Sequence, residues 1–482
     1  MTLPSPLFVG IDCGTQSAKV SVFEADGRLV AVGRQALSPM ERPEPGVVLH
    51  PEDDMWDATC AASRAALGQL LDQDQARIAA VGVCPIRCNK AFLDADGELV
   101  MPMMSWMDTR AYEPWTPDAP IAYATTSSGY FAHRMTGLFR DTAANCIPLQ
   151  WPIDPATGRW SSDDSDIDRF GLQRDQLVEL QDPGEVIGPL TAQAAAATGL
   201  PPGIPVVATA SDKAVELLGA GPLPDRGVLI SLGTYITAMQ PSDGWRPDGK
   251  SHFTNFGSSP HTFIAESNGI RRGMWTLTWF LDFLGPEFAA HAQAAGQSRE
   301  DIVEVEAADL EAGADGLVAV LDFLAPTDAP FRKGTFFGLD ARHTRGHMYR
   351  AILEAIALTM KVNVDAMRKE LGQPAPTDVV LSGGGSNSEL FTQIFADVFG
   401  CTAHRAQTSG GAGLGAAMCA AAGLGLHETP ADAAAVMVGT RTSMDAQPDR
   451  HRRYRSISDE LLIDIRETPT DALYRRSFDL FG

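Results

Sequence analysis

The chain opens on short apolar runs broken by turn residues. Leu7–Asp12 reads as a strand, and the loop Cys13-Gly14-Thr15-Gln16-Ser17 follows. Ala18–Glu24 and Arg28–Ala36 read as two more strands, joined by an Asp26-Gly27 hairpin signal. This is an antiparallel meander at the head of an α/β chain. Pro43–His50 is a Pro/Gly-rich loop, and a helical pattern runs from Pro51 to about Asp72. Ile78–Cys84 and Ala91–Asp94 read as strands, the second ending on Asp96-Gly97. The polar stretch 113–130 and the Asp/Ser-rich stretch Trp151–Ser165 read as loops. Pro201-Pro202-Gly203 leads into the apolar strand Ile204–Ala208.

The second half restarts the pattern. Val228–Leu232 is a strand, Gly233-Thr234 a turn, and Tyr235–Met239 a strand, matching the Gly14-Thr15 turn near the start. A strand–Gly-Thr–strand unit heading each half suggests duplication. Thr344 caps a predicted long helix to Leu371, whose positions Met348, Ile352, Ile356 and Met360 recur every four residues. Gly372 and Pro374 stop it. Asp378–Leu381 is then a strand, Ser382–Gly385 a tight loop and Asn387–Phe399 a helix closed by Gly400.

Length and composition narrow this picture. At 482 residues the chain is too long for one hydrophobic core, and its 44% hydrophobic and 21% charged residues exclude wholesale disorder. The division is placed near Gly221, into residues 1–221 and 222–482. A net charge of −23 argues against a nucleic-acid or anionic-membrane surface, while leaving room for a small anion held by backbone amides. No signal-peptide core or 18-residue apolar span is read in the sequence. Seven scattered cysteines without a C-x-x-C pair read as reduced thiols, so the expected compartment is the cytoplasm.

Four segments carry candidate chemistry. In Asp12-Cys13-Gly14-Thr15, Gly14 would let a phosphate approach, Thr15 would donate to it, and Asp12 could hold Mg²⁺ through water. Taken alone, an ordinary hairpin turn is the commoner reading. Asp212, in Ala210-Ser211-Asp212-Lys213 before a helix-like stretch, is either a helix cap or a general base. Caps are the more frequent of the two. The glycine-rich loop Ser382–Asn387 offers backbone donors to a nucleotide, although it is not a Walker loop. The stretch Gly410–Ala417 is read as close helix packing. Trp106-Met107-Asp108-Thr109-Arg110, with Arg87 upstream, could hold a polyol, or be a salt bridge beside a core Trp. The basic run Arg450–Arg455 reads as a solvated face.

In this order, these segments resemble the FGGY family of carbohydrate kinases over essentially the whole chain. Gly10–Ser17 resembles its opening phosphate loop, Pro45–Trp56 the loop before its first helix, and Leu93–Gly97 with Trp106–Arg110 its sugar-site segment. Gly334, Phe336, Gly338 and Leu339, followed after seven residues by His347, Met348, Ala351, Ile352, Leu353 and Glu354, match its C-terminal signature. The resemblance implies two actin-like (ribonuclease H-like) α/β domains around a cleft. ATP and Mg²⁺ would lie on the C-terminal half and a small sugar, polyol or sugar acid mainly on the N-terminal half. Asp212 would be the general base. Gly14, Thr15, Gly233 and Thr234 would hold phosphates, Asp12 would place Mg²⁺, and Gly384, Gly385 and Asn387 would contact adenosine. Arg87 and Asp108 would bind substrate hydroxyls. No nucleic-acid or membrane partner is implied, and a homodimer is the candidate assembly.

The chain departs from the family pattern in two places. Residues 113–130 lack the Lys-x-Trp stretch, and Arg87-Cys88 stands where glycerol kinases carry Arg-Glu and xylulose kinases Met-His. These departures keep two other readings open, a non-catalytic sugar or nucleotide sensor and an actin-like ATPase. Cys88 beside the substrate would make activity sensitive to oxidation, against the commoner reading of a buried, inert thiol.

Overall fold

The computed structural model describes residues 5–458 apart from 116–119, 247–248, 324–328, 330, 407–410 and 440. Part of the 113–130 stretch, Gly410 and the end of the second half therefore lie outside the described residues. The first sheet holds β1 (Leu7–Cys13), β2 (Ser17–Glu24), β3 (Leu29–Ala36), β4 (Ile78–Pro85), β5 (Val186–Pro189) and β6 (Pro205–Val207), in the order β5-β6-β4-β1-β2-β3. β1 is central and nearly all buried, which is why it reads as an unbroken apolar run. Helices α1 (Asp54–Leu67) and α2 (Ser127–Thr136) share the apolar core of this sheet.

α3 (Asp212–Gly219) leads into the second sheet. That sheet holds β7 (Gly227–Leu232), β8 (Ile236–Ser242), β9 (His252–Phe256), β10 (Phe263–Ser267), β11 (Asp378–Ser382), β12 (Thr402–Ala406) and β13 (Arg441–Met444). Its order is β9-β10-β8-β7-β11-β12-β13. The predicted long helix is α4 (Arg345–Glu370), with Thr344 as its N-cap, and α5 (Glu389–Phe399) ends on a left-handed Gly400. α6 (Gly411–Gly423) follows.

The two sheets share a five-strand core. In each, a strand pairs antiparallel with its successor, which pairs antiparallel with a third. On the other side two parallel strands follow. β3-β2-β1-β4-β6 thus matches β10-β8-β7-β11-β12, and Gly14-Thr15 and Gly233-Thr234 occupy the same hairpin in each. The short Gly-Thr likeness in the sequence reflects a repeat of the whole sheet.

Two loop expectations are corrected. Within 113–130, Tyr123–Thr126 is a strand and Ser127 begins α2. The polarity there faces inward. Buried Asp141 accepts from the hydroxyls of Thr125 and Thr126 at 2.8 Å and from that of Ser128, while Thr126 caps the helix. Trp151–Ser165 contains the small hairpin Ile153–Asp154/Arg159–Trp160 and the start of a short helix, Asp164–Asp168. Its turn is built by Asp154, which accepts from Ala156 N and Thr157 Oγ1. The basic run lies on the helix Pro448–Ile457, with Tyr454 turned into the core.

α6 comes from the C-terminal part of the chain yet packs on the first sheet and on α3. Glycine permits it. A Cβ on Gly10 or Gly82 would overlap the carbonyl oxygen of Gly413 or Ala416, and one on Gly219 or Gly415 would overlap that of Gly411 or Val215. The glycine-rich stretch therefore packs closely, as its sequence suggests. Among the described residues no helix is long and apolar enough to cross a membrane.

Because backbone must move to admit a methyl group, Gly10→Ala should lower unfolding stability by about 2 kcal/mol or more. Gly137→Ala meets no atom within 4 Å and carries only the strain of φ +73°, so it should cost about 1–2 kcal/mol, less than the backbone clash at Gly10. Denaturant midpoints of the two variants check the difference.

Candidate active site

The C-terminal ends of β1 and β7 open into one cleft of about 980 Å³. Asp12, Gly14, Thr15 and Ser17 line it from the first sheet, and Ser231, Gly233, Thr234 and Tyr235 from the second. The two Gly-Thr turns thus converge on a common space. Neither glycine is required by the chain's own packing, since a Cβ on Gly14 or Gly233 would meet its nearest neighbour at 3.9 or 3.7 Å. Both turns are tied down. Gly14 N donates to Ser17 O, Trp106 Nε1 to Thr15 Oγ1, and Gly273 N to Thr234 O.

Asp212 enters the cleft from the first turn of α3. The cap is Ser211, whose Oγ accepts from Ala214 N at 3.3 Å. The capping role favoured on frequency belongs to the preceding residue, which leaves the Asp212 carboxylate unused by the helix. Among the described residues its buried Oδ1 has no hydrogen-bond partner, and Arg87 Nε stands 3.7 Å away. One turn on, Glu216 accepts from Lys213 Nζ (3.1 Å), Ser231 Oγ (2.8 Å) and Ser382 Oγ (2.6 Å). Burial alone would raise the Glu216 carboxyl, but Lys213 and the two serines hold it below its usual value. Lys213 stays protonated in turn, since Glu216 and Asp212 outweigh its burial. Asp12 lacks such support. Burial, then the charges of Asp212 and Glu216, push its carboxyl from 3.8 up to about 7.

Arg87 does not reach the cleft as a free cation. Its Nη1 and Nη2 donate to Glu266 Oε2 and Oε1 at 2.8 and 2.7 Å, and Glu266 is fully buried on β10. Asn255 Nδ2 donates to the same carboxylate at 3.1 Å. Burial works against the Arg87 charge, but Glu266 and Asp212 more than restore it. Trp106, Tyr112, Phe253 and the Ile147–Leu149 segment give this end apolar walls.

Asp108 is corrected. It is fully buried and does not line the cleft. Its carboxylate accepts from Val48 N (2.9 Å) and from the backbone and guanidinium of Arg110. Burial opposes its ionisation, but these bonds hold it below the usual carboxylate range. It shapes the loop that carries Trp106. In the Ser382–Asn387 loop, Gly383 and Gly384 line the cleft. A Cβ on Gly385 would press on Met274 and Leu232, and Asn387 is exposed, its carbonyl accepting from Arg405. Cys88 lines the cleft with φ +64°, and burial pushes its thiol up to about 12. An un-ionised thiol does not support oxidation sensitivity there.

Sequence reasoning missed Glu216, Glu266 and the β9 segment His252–Asn255, all at or beside this cleft. The available signal was an isolated acid in an apolar strand, Phe-Ile-Ala-Glu-Ser, because a buried carboxylate requires a partner.

Solved structures share this layout. A xylulose kinase from Rhodospirillum rubrum aligns with TM-score 0.75 at 24% identity, covering 98% of this chain and 99% of that one. A gluconate kinase from Lactobacillus acidophilus aligns with TM-score 0.77 at 18% identity, covering 99% and 100%. The fold is that of two actin-like domains around a cleft. The N-terminal domain of the FGGY family of carbohydrate kinases matches residues 7–117 and 118–219, and its C-terminal domain matches 228–424. An Escherichia coli protein, "Uncharacterized sugar kinase YgcE", is 40% identical over 475 residues, 98% of this chain and 95% of that protein. The chain belongs to the FGGY family and is a carbohydrate kinase. Kinases of this family use ATP. The sensor reading finds no support in these comparisons.

The Asp12 carboxyl gives a pH prediction. The folded chain holds this proton more tightly than the unfolded one, so the linked stabilisation is complete below pH 3.8 and lost as pH rises through about 7. In protein stripped of nucleotide and divalent cations, Asp12→Asn should melt above the parent by a margin that widens from pH 5 to 7. The margin should then level off. A margin constant across that range would show an ordinary carboxyl.

Proposed function

We propose that this chain transfers the γ-phosphoryl group of ATP to a hydroxyl of a small sugar or polyol, with Asp212 as general base. One observation carries the reading. Asp212 Oδ1 is a buried acceptor with no hydrogen-bond donor among the described residues, in a cleft faced by both Gly-Thr turns. Such an atom suits a substrate hydroxyl whose proton must leave as oxygen attacks phosphorus. Gly14, Thr15, Gly233 and Thr234 hold phosphate oxygens, and their glycines leave room that no described residue fills. Gly383 and Gly384 face the adenosine end. Gly385 and Asn387 shape the loop, and the sugar lies against Trp106, Tyr112 and Phe253. The functional halves divide near residue 221.

Mg²⁺ fits the donor set. Three carboxylates, Asp12, Asp212 and Glu216, influence one another at the cleft floor, and Asp12 is left under-compensated. Among the described residues no cluster of three His, Cys, Asp or Glu forms a metal cage. That agrees with an ion held by one carboxylate, waters and phosphates. When bound, Mg²⁺ supplies positive charge to the phosphates. The protein's own contribution is positioning, amide and hydroxyl donors, and one base.

Asp212→Asn should fold, bind ATP and lose kcat by about 10²–10⁴. A variant with near-normal kcat removes Asp212 from the role. The class is tested by ADP release across polyols, ketoses and aldonates. Substrate-dependent ADP supports the kinase, whereas slow substrate-independent ADP indicates an ATPase.

A further inference from the structure

The environment of Arg87 bears on the substrate class, and the inference rests on the kinase reading above. An arginine beside a sugar site invites a sugar acid, because its planar fork matches a carboxylate. Here the fork already holds one. Both terminal nitrogens engage Glu266, which is fully buried and fixed by Asn255, and Nε faces Asp212. Phe253 packs beneath, 5.6 Å from Cζ to ring centroid. One guanidinium thus stands against two carboxylates, leaving this end of the cleft with one excess negative charge.

The other cations lining the cleft stand elsewhere. Lys19 pairs in register with Asp12, and Arg34 Nε donates to Ser17 Oγ, both beside the first Gly-Thr turn. Lys213 is engaged by Glu216 and Ser231. Arg271 follows Ile270, whose backbone pairs with Ile236 beside the second turn. Lys19, Arg34 and Arg271 thus belong to the segments of the two turns, while Lys213, taken up by Glu216, also feels Asp212 and Glu266. At the Arg87 end the remaining wall is aromatic and aliphatic apart from Cys88, Asn255 and Thr254, whose Oγ1 is buried with no partner among the described residues.

We propose that Glu266 is a specificity-determining residue: by holding Arg87 in a closed ion pair it makes the site select an uncharged polyhydroxylic substrate, a polyol or ketose, over the matching sugar acid. A hydroxyl can donate to Asp212 and accept from an N–H of Arg87 that Glu266 leaves over. A carboxylate would bring a third negative charge against a guanidinium already matched. Specificity of this kind comes from the repulsive element as much as from the attractive one.

The experiment compares matched pairs, a polyol or ketose and the aldonate of the same carbon count, by calorimetric binding and by ADP release. The parent enzyme should prefer the neutral member by about 100-fold, the order expected of one like charge at ion-pair range in a partly buried site. Glu266→Gln releases the Arg87 fork and should shift the acid-to-neutral ratio by at least about 10-fold toward the acid. Asp212→Asn removes the excess charge but leaves the fork closed on Glu266, so it should weaken the parent's preference for the neutral member without reversing it. A parent that binds the aldonate as well as or better than its neutral partner overturns the proposal. So does a folded Glu266→Gln with an unchanged ratio. If Glu266→Gln does not fold, the parent's own ratio decides. Neutral-selective binding without ADP release would sink the kinase reading and leave the selectivity standing.

Discussion

Carboxylates crowd the seam where the strand ends of the two sheets meet, and the structure is organised around their unequal compensation. Asp12, Asp212, Glu216 and Glu266 all influence this small region. Buried charge is tolerated only when paired and hydrogen-bonded. Glu216 has an ammonium and two hydroxyls, and Glu266 has a guanidinium fork and an amide. Those two act as fasteners. Glu216 ties α3 to β7 and β11 through Ser231 and Ser382, and Glu266 ties the loop after β4 to β10. Asp12 and Asp212 are left without such partners, and both open to the cleft. The same chemical group is locked into the scaffold or left open to the cleft according to how completely the chain satisfies it.

The fastening works because the elements carrying these acids cannot drift. α3 and α6 approach each other through Gly219, Gly411 and Gly415, and α6 approaches the first sheet through Gly10 and Gly82. Close-packed backbone has no soft direction in which to relax. The position of Asp212 therefore depends on residues far away in sequence, in a helix from the C-terminal part of the chain.

This dependence explains what was legible in the sequence. The strands of both sheets and the long helix α4 could be read, because buried runs and four-residue spacing are local signals. The two Gly-Thr turns and Asp212 could be singled out as residue types at strand and helix ends. What failed was the assignment of partners. Asp108 could be a sugar ligand or a salt bridge beside Trp106, and its acceptors are filled by Val48 and Arg110, as the salt-bridge reading has it. Arg87 looked like a substrate ligand, yet its fork closes on an acid 179 positions away. Polar Thr125–Ser128 read as loop because nothing nearby shows that Asp141 gathers their hydroxyls inside. Hydrogen-bond satisfaction is a three-dimensional account, and a linear pattern carries only one side of it.

The overall charge shows the same limit from another direction. A chain of net −23 gave no reason to expect basic side chains around a polyanion, so backbone amides and a metal were expected to supply the positive field. Among the described residues the cleft instead gathers Lys19, Arg34, Arg87, Lys213 and Arg271 against Asp12, Asp212 and Glu216, five Lys and Arg side chains to three acidic ones. Screening confines their influence, since beyond about 10 Å at moderate salt the field of the acidic exterior has largely decayed. Inside the cleft the local set governs, and it is itself divided. Lys19, Arg34 and Arg271 belong to the segments of the Gly-Thr turns and Lys213 is taken up by Glu216, while Arg87 is held by Glu266 at the apolar end. A ligand with a phosphate tail and an uncharged head would find each end matched, whereas a ligand anionic at both ends would meet attraction at one and repulsion at the other.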